Sequence, residues 1–176
     1  IKQGSDDNLK ILDITVEEQP TGEISLAAGV GTSGSTIGGG ISERNFLGKG
    51  IKLNTNLEIS EETVKGNFIY SKPNFAYTDN TLFTSLNATS KDFLTDYGYK
   101  VSETGFAFGT KFEQYENLFF SPELSFGIED LETNSSASDQ LKKQEGKYSD
   151  FYINYGISYD LRDSGYNPKS GNKTYF

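Results

Sequence analysis

With 176 residues, 25 Asp and Glu against 16 Lys and Arg, and a net charge of −9, the chain has room for one ordinary domain or a piece of something larger, and its charge argues against nucleic acid as a partner. It has 0 Cys, 0 His, 0 Met and 0 Trp, which removes thiol chemistry, His-based acid/base catalysis and most transition-metal sites, so no cofactor and no metal is expected. Abundant Gly (19), Phe (13) and Tyr (11) beside only 4 Pro favour strands and tight turns over helices.

Residues 1–8, "IKQGSDDN", lack the charged-then-apolar pattern of a signal peptide, and the chain stops at "NKTYF" inside what reads as a new strand. Both termini are therefore expected to be internal to a longer protein. Residues 9–18, "LKILDITVEE", predict a strand with Leu12, Ile14 and Val16 on one face, and "QPTG" at 19–22 breaks it at a domain boundary.

From Glu23 on, Ile24, Leu26, Ala28 and Val30 share one parity while Ser25, Ala27, Gly29 and Gly31 share the other. "TSGS" (32–35) reverses the chain, and "TIGGGISER" (36–44) returns with Ile37, Gly39 and Ile41 in phase. "NFLGKG" (45–50) is a turn, with Gly48 and Gly50 expected at positive φ and Phe46 as an anchor. Next comes the cleanest period of two: Ile51, Leu53, Thr55, Leu57 and Ile59 against Lys52, Asn54, Asn56, Glu58 and Ser60.

Glu61 and Glu62 reverse into Val64, Gly66, Phe68 and Tyr70, with Ile69 out of phase. After the turn "SKPNFAYTDN" (71–80), Leu82, Thr84, Leu86 and Ala88 alternate, and residues 90–100 read as a polar and aromatic loop. Phe106, Phe108 and Phe112 mark the sixth strand; Leu118, Phe120, Leu124, Phe126 and Ile128 mark the seventh. Residues 130–148 read as a long polar loop, and Phe151, Ile153, Tyr155, Ile157, Tyr159 and Leu161 form the eighth strand before "DSGYNPKSGN". No segment reads as a helix. Connections after strands one, three, five and seven are expected to be polar, the last two of them long, and the others compact.

Periodicity leaves two environments open: a soluble sandwich whose apolar face is core, or a barrel wall whose apolar face meets lipid. Strands of roughly nine to twelve residues match the length needed to cross a bilayer at a tilt. Phe46, Phe75, Tyr77, Phe93, Tyr97, Tyr99, Tyr115, Tyr148 and Tyr166 gather near strand ends, as in interfacial girdles. The paired carboxylates Asp6/Asp7, Glu17/Glu18 and Glu61/Glu62 read as solvated turns, because adjacent strand residues point to opposite faces.

In their order and spacing, "VEEQPTG" (16–22), the Gly-rich strand after it, "NFLGKG" (45–50), "YSKPNF" (70–75) and "INYGISYDLRDSGYNPKSG" (153–171) resemble the outer-membrane protein 85 superfamily, and within it the assembly-machine insertases. The resemblance runs over essentially the whole chain. It implies an all-β, antiparallel up-and-down transmembrane β-barrel of sixteen strands preceded by periplasmic polypeptide-transport-associated (POTRA) domains. Residues 1–20 then correspond to the C-terminal strand of a POTRA domain and its linker. Residues 21–176 correspond to the N-terminal half of the barrel, about eight strands forming an open, curved sheet when isolated.

The implied activity is non-enzymatic: insertion and folding of β-barrel proteins in the bacterial outer membrane through a lateral gate at barrel strand one. A client strand would add by backbone hydrogen bonding along Glu23, Ile24, Ser25, Leu26, Ala27, Ala28, Gly29, Val30 and Gly31. The resemblance makes Asn45, Phe46, Leu47, Gly48 and Gly50 a structural, periplasmic turn. Implied partners are unfolded outer-membrane β-barrel proteins, assembly-machine lipoproteins and outer-membrane lipid. The family's Val/Ile-Arg-Gly motif and its closing strand have no counterpart here. A passive porin, a secretion or translocation channel of the same superfamily, and a soluble β-sandwich binding module remain alternatives.

Overall fold

The computed structural model describes residues 2–3, 10–31, 34–165 and 167–176. Most of them form one antiparallel sheet of nine strands: β1 (Gly22–Gly31), β2 (Gly34–Phe46), β3 (Ile51–Ser60), β4 (Thr63–Lys72), β5 (Thr81–Phe93), β6 (Tyr99–Tyr115), β7 (Leu118–Thr133), β8 (Gly146–Asp160) and β9 (Lys173–Tyr175). Every strand pairs with its neighbours in sequence, so β1 and β9 are the two edges. The sheet is open, as expected: β8 pairs with β7 and β9, and β1 pairs with β2 alone.

Apart from bulges after Glu43 and Glu113, register carries a single parity across the sheet. Ile24, Ile41, Thr55, Phe68, Leu86, Phe106, Phe126 and Phe151 are successive cross-strand partners. Directly opposed residues share a face, so these side chains make one apolar row from β1 to β8. The neighbouring row, Ser25, Gly40, Asn56, Asn67, Asn87, Gly105, Gly127 and Asp150, is polar and lies on the opposite face. A slip of one residue in any pair would exchange the two faces, and the alternation forbids it.

Neither face is covered by a second layer. Among the described residues the buried apolar set is Ile51, Ala107, Leu131 and Ala137, while Ile24, Leu26, Ile37, Phe106, Phe126 and Ile153 stand exposed. A sandwich would bury one face against a second sheet about 10 Å away. The soluble-sandwich alternative does not fit this layout.

Several expectations are corrected in detail. Residues 12–20 form no regular structure, and among the described residues of the strand predicted at 9–18 only Lys10–Ile11 pairs, with Lys2–Gln3. Leu12, Ile14 and Val16 are exposed because no sheet lies beside them. The loops predicted at 90–100 and 130–148 are largely strand, since β5 reaches Phe93, β6 begins at Tyr99, β7 reaches Thr133 and β8 begins at Gly146. A one-turn helix, Asp139–Lys142, caps on the Ser138 hydroxyl in the remaining connection.

The contrast between long and compact connections also fails. Residues 73–80 and 161–172, expected to be compact, are as extended in sequence as 94–98 and 134–145. The reversal at 32–33 and Tyr166 lie outside the described residues. Of the proposed girdle residues, Phe93, Tyr99 and Tyr148 share the parity of the polar face. Phe93 packs on Tyr97 and Tyr99 with ring centroids 5.9 and 5.4 Å apart.

Candidate functional site

The candidate site is the free edge of the sheet. Glu23 to Gly31 all fall in β1, whose ten residues are exposed throughout. The Arg44 N–H donates to the Thr21 carbonyl at 3.2 Å, in a register where Gly22 opposes Glu43. Antiparallel pairs alternate between mutually bonded and non-bonded, so Glu23, Ser25, Ala27, Gly29 and Gly31 bond to β2. The N–H and C=O groups of Gly22, Ile24, Leu26, Ala28 and Val30 consequently point out of the sheet. Their side chains lie on the apolar face, where Leu26 and Val30 are 85% and 88% exposed.

Glycine has different causes in the two outermost strands. A Cβ at Gly40 would collide with the Asn56 Oδ1 and stand 3.0 Å from the Ser25 Oγ, so a side chain there would have to displace its neighbours in the polar row. At Gly39 a Cβ would stand 3.0 Å from the Leu26 Cδ2. At Gly29 and Gly31 a Cβ would meet nothing within 4 Å. Packing does not call for glycine at these two positions, and its presence there leaves that part of the edge with few side-chain contacts.

One end of β1 is tethered. The Thr21 hydroxyl donates to the Glu43 carboxylate, which also accepts the Asn45 N–H at 2.7 Å. These contacts lead directly into the turn at 45–50. There the Gly50 N–H donates to the Asn45 Oδ1 at 2.6 Å, and the Gly48 N–H donates to the Asn45 carbonyl at 2.9 Å. Leu47, Gly48 and Gly50 have φ of 56°, 68° and 66°, so the two glycines occupy the left-handed conformations expected of them. Phe46 pairs with Ile51 across the turn, after a bulge that follows Glu43.

Two groups escaped attention in the sequence. Thr21 and Glu43 hold the edge strand, yet neither type nor spacing marks them. In the connection after β8, Arg162 Nε and Nη2 donate to the two Asp160 carboxylate oxygens at 2.8 Å each, and Lys173 Nζ stands 3.3 Å from Asp160 Oδ2. This fork ties the start of β9 to the end of β8. Asp163 accepts the N–H groups of Lys169 (2.9 Å) and Ser170 (3.3 Å), which hold its carboxyl below the usual carboxylate range. Glu62, in the turn between β3 and β4, is shifted upward by desolvation and then by the charge of Asp96. Among the described residues no group of three or more acidic side chains is placed to hold a metal ion.

The apolar face has the dimensions of a membrane-spanning wall. From Ile51 to Ile59 it runs eight residue steps, roughly 27 Å along the strand, or about 21 Å of height at a tilt near 40°. An outer-membrane barrel carries an apolar band about 25 Å tall. No helix among the described residues is long and apolar enough to cross a membrane, which says nothing of strands.

The crystal structure of BamA from Haemophilus ducreyi lacking POTRA domains 1–3 is similar to this chain, with a TM-score of 0.63 at 24% sequence identity, covering 89% of this chain and 33% of that one. The chain thus shares that fold over about a third of the other's length. The Omp85 superfamily domain matches residues 45–176, from the turn after β2 to the last residue, and on that match the chain belongs to the Omp85 superfamily, whose barrels lie in the bacterial outer membrane.

Proposed function

We propose that this chain is the leading part of the barrel of an outer-membrane protein assembly factor, and that β1 forms one side of its lateral gate. The reading is supported by membership of the Omp85 superfamily together with β1, the first strand of the sheet, which is exposed along its length and points the backbone groups of Gly22, Ile24, Leu26, Ala28 and Val30 away from β2. Such an edge is a template for an added strand, which most proteins suppress. The added strand would come from an unfolded outer-membrane β-barrel protein, and the activity would need no catalytic side chain.

In this reading residues 1–20 close a POTRA domain, and residues 21–176 are the N-terminal half of the barrel. The turn at 45–50 lies on the periplasmic side, where assembly-machine lipoproteins would dock. Lys52, Asn54, Asn56 and Glu58 face the lumen. A polar lumen would equally serve a secretion channel of the same superfamily, favoured by the Asn56–Asn67–Asn87 row. Depletion of the full-length protein from its host separates the two. A broad fall in outer-membrane β-barrel proteins is expected; loss of a single exported substrate, with the others unchanged, would establish the channel instead.

A further inference from the structure

Hydrophobic alternation restricts how a strand can add to β1, but only in part. A slip of one residue would turn the added strand's apolar side chains onto the polar face, and so is rejected. A slip of two keeps both faces in place. Something other than alternation must therefore set where an added strand stops.

The foot of β1 carries such a feature. Thr21 keeps the inward phase of the strand, since its carbonyl accepts the Arg44 N–H at 3.2 Å. Two residues before Gly22, in the phase of the outward-facing Gly22, Ile24 and Leu26, stands Pro20, exposed and outside any strand. Proline has no N–H, and its ring occupies the place of the missing donor. The row of outward donors thus ends at Gly22. Gly22 to Val30, all but the last of the ten residues of β1, match the roughly 9–11 residues of a strand that crosses a bilayer.

The alignment of Pro20 with the edge is held from β2. The Thr21 hydroxyl donates to the Glu43 carboxylate, which also accepts the Asn45 N–H at 2.7 Å. The same carboxylate lies over the first rung, where a Cβ at Gly22 would stand 2.9 Å from the Glu43 Oε2. Glu43 opposes Gly22 and Leu53 and so shares the lipid-facing side, where a carboxylate is costly within hydrocarbon. The last outward donor and this charge stand at one level, the lower limit of the apolar band.

We propose that Pro20 is an end stop that sets the register of an added strand, with Thr21 and Glu43 as positioning residues that hold it in line with the edge. The proposal rests on β1 as the templating edge. A strand added antiparallel to β1 runs toward the foot, and its ladder ends at Gly22. Sliding two residues further would set a client carbonyl against the proline ring instead of a donor.

The test traps a stalled client by disulfide bonding to the full-length protein in outer-membrane vesicles. One cysteine replaces Ile24, and a series of single cysteines samples the client's terminal strand. With the edge otherwise unaltered, one client position should be favoured. Pro20→Ala supplies the donor, so a second position, two residues nearer the client's N-terminus, should gain about two- to tenfold, the worth of one net hydrogen bond. The urea midpoint of the barrel should stay unchanged, because Pro20 lies outside the sheet. Moving the ring one place, by Gln19→Pro with Pro20→Ala, puts it in the inward phase and should not restore the single register. Thr21→Val should spread the register as Pro20→Ala does, and Thr21→Ser should not.

A single register that ignores Pro20→Ala would overturn the stop and leave the gate standing. A register that spreads in Pro20→Ala only together with a lower urea midpoint would make Pro20 a structural residue and overturn the stop as well. Absence of trapping anywhere on β1 would overturn the gate, and the stop with it.

Discussion

The alternation of bonded and free backbone along β1 makes opposite predictions for two adjacent alanines. Ala28 points its N–H out of the sheet, whereas the Ala27 N–H belongs to the ladder with Gly38. Ala28→Pro removes one of five outward donors and leaves the β1–β2 ladder intact, a placement that edge strands tolerate. A client strand would then lose one hydrogen bond and leave one carbonyl unpaired, costing about 1–3 kcal/mol, or about five- to 150-fold in pairing. Ala27→Pro inflicts a comparable loss on the barrel itself, because the Gly38 carbonyl loses its donor.

The assay traps a client's terminal strand by disulfide bonding to the full-length protein and, in parallel, measures the urea midpoint of the barrel. Ala28→Pro should reduce trapping with the midpoint unchanged, and Ala27→Pro should lower the midpoint. Equal losses of trapping in both variants at unchanged stability would refute the assignment of the free edge. So would a fall in the midpoint for Ala28→Pro alone.

Gly29→Ala should be neutral or raise the urea midpoint by the equivalent of about 0.5–1 kcal/mol, because the site is open and only the unfolded chain loses freedom. Gly40→Ala should lower it by about 1–3 kcal/mol, since the new Cβ must displace Asn56. Arg162→Lys keeps the charge but loses the two-pronged bond to Asp160, so hydrogen exchange across residues 161–172 should quicken while β1 to β7 stay protected. Asp163 has a lowered pKa, so its hold on the Lys169 and Ser170 amides is complete above the ordinary carboxylate range and is lost as pH falls through the depressed value. Exchange of those two amides, corrected for the intrinsic pH dependence, should therefore rise on acidification, and Asp163→Asn should remove the effect.

The strands are legible in the sequence wherever one face is continuously apolar, which is why β3, with Ile51 to Ile59 unbroken, is the plainest. Their ends are not. Beyond Ala88 and Ile128 the apolar face turns charged, and the ladder continues through ion pairs such as Lys100–Asp92 at 3.7 Å and Lys147–Asp130 at 3.3 Å. A period of two in hydrophobicity vanishes there although the pairing does not, so the strand ends at 90–93 and 130–133 read as loop. The converse happens at 12–16, where alternation is present but no partner strand lies alongside, and no strand forms.

The candidate edge was legible as a glycine-rich strand, but which of its backbone groups are free depends on the register with β2. That in turn is held by Thr21, Glu43 and Asn45. Polar contacts between residues 21 and 43 have no local sequence signal. Nor does the clamp of Asp160, Arg162 and Lys173, which only the hairpin between β8 and β9 brings together.

The most direct test of β1 as the templating edge is a register map of a stalled client in outer-membrane vesicles containing the full-length protein. Single cysteines at Ile24, Leu26, Ala28 and Val30 would be paired with cysteines along the client's terminal strand. A β-ladder predicts that each step of two residues on β1 moves the favoured client partner by two. Cross-links that show no such register, or that form only at β9, would contradict the account.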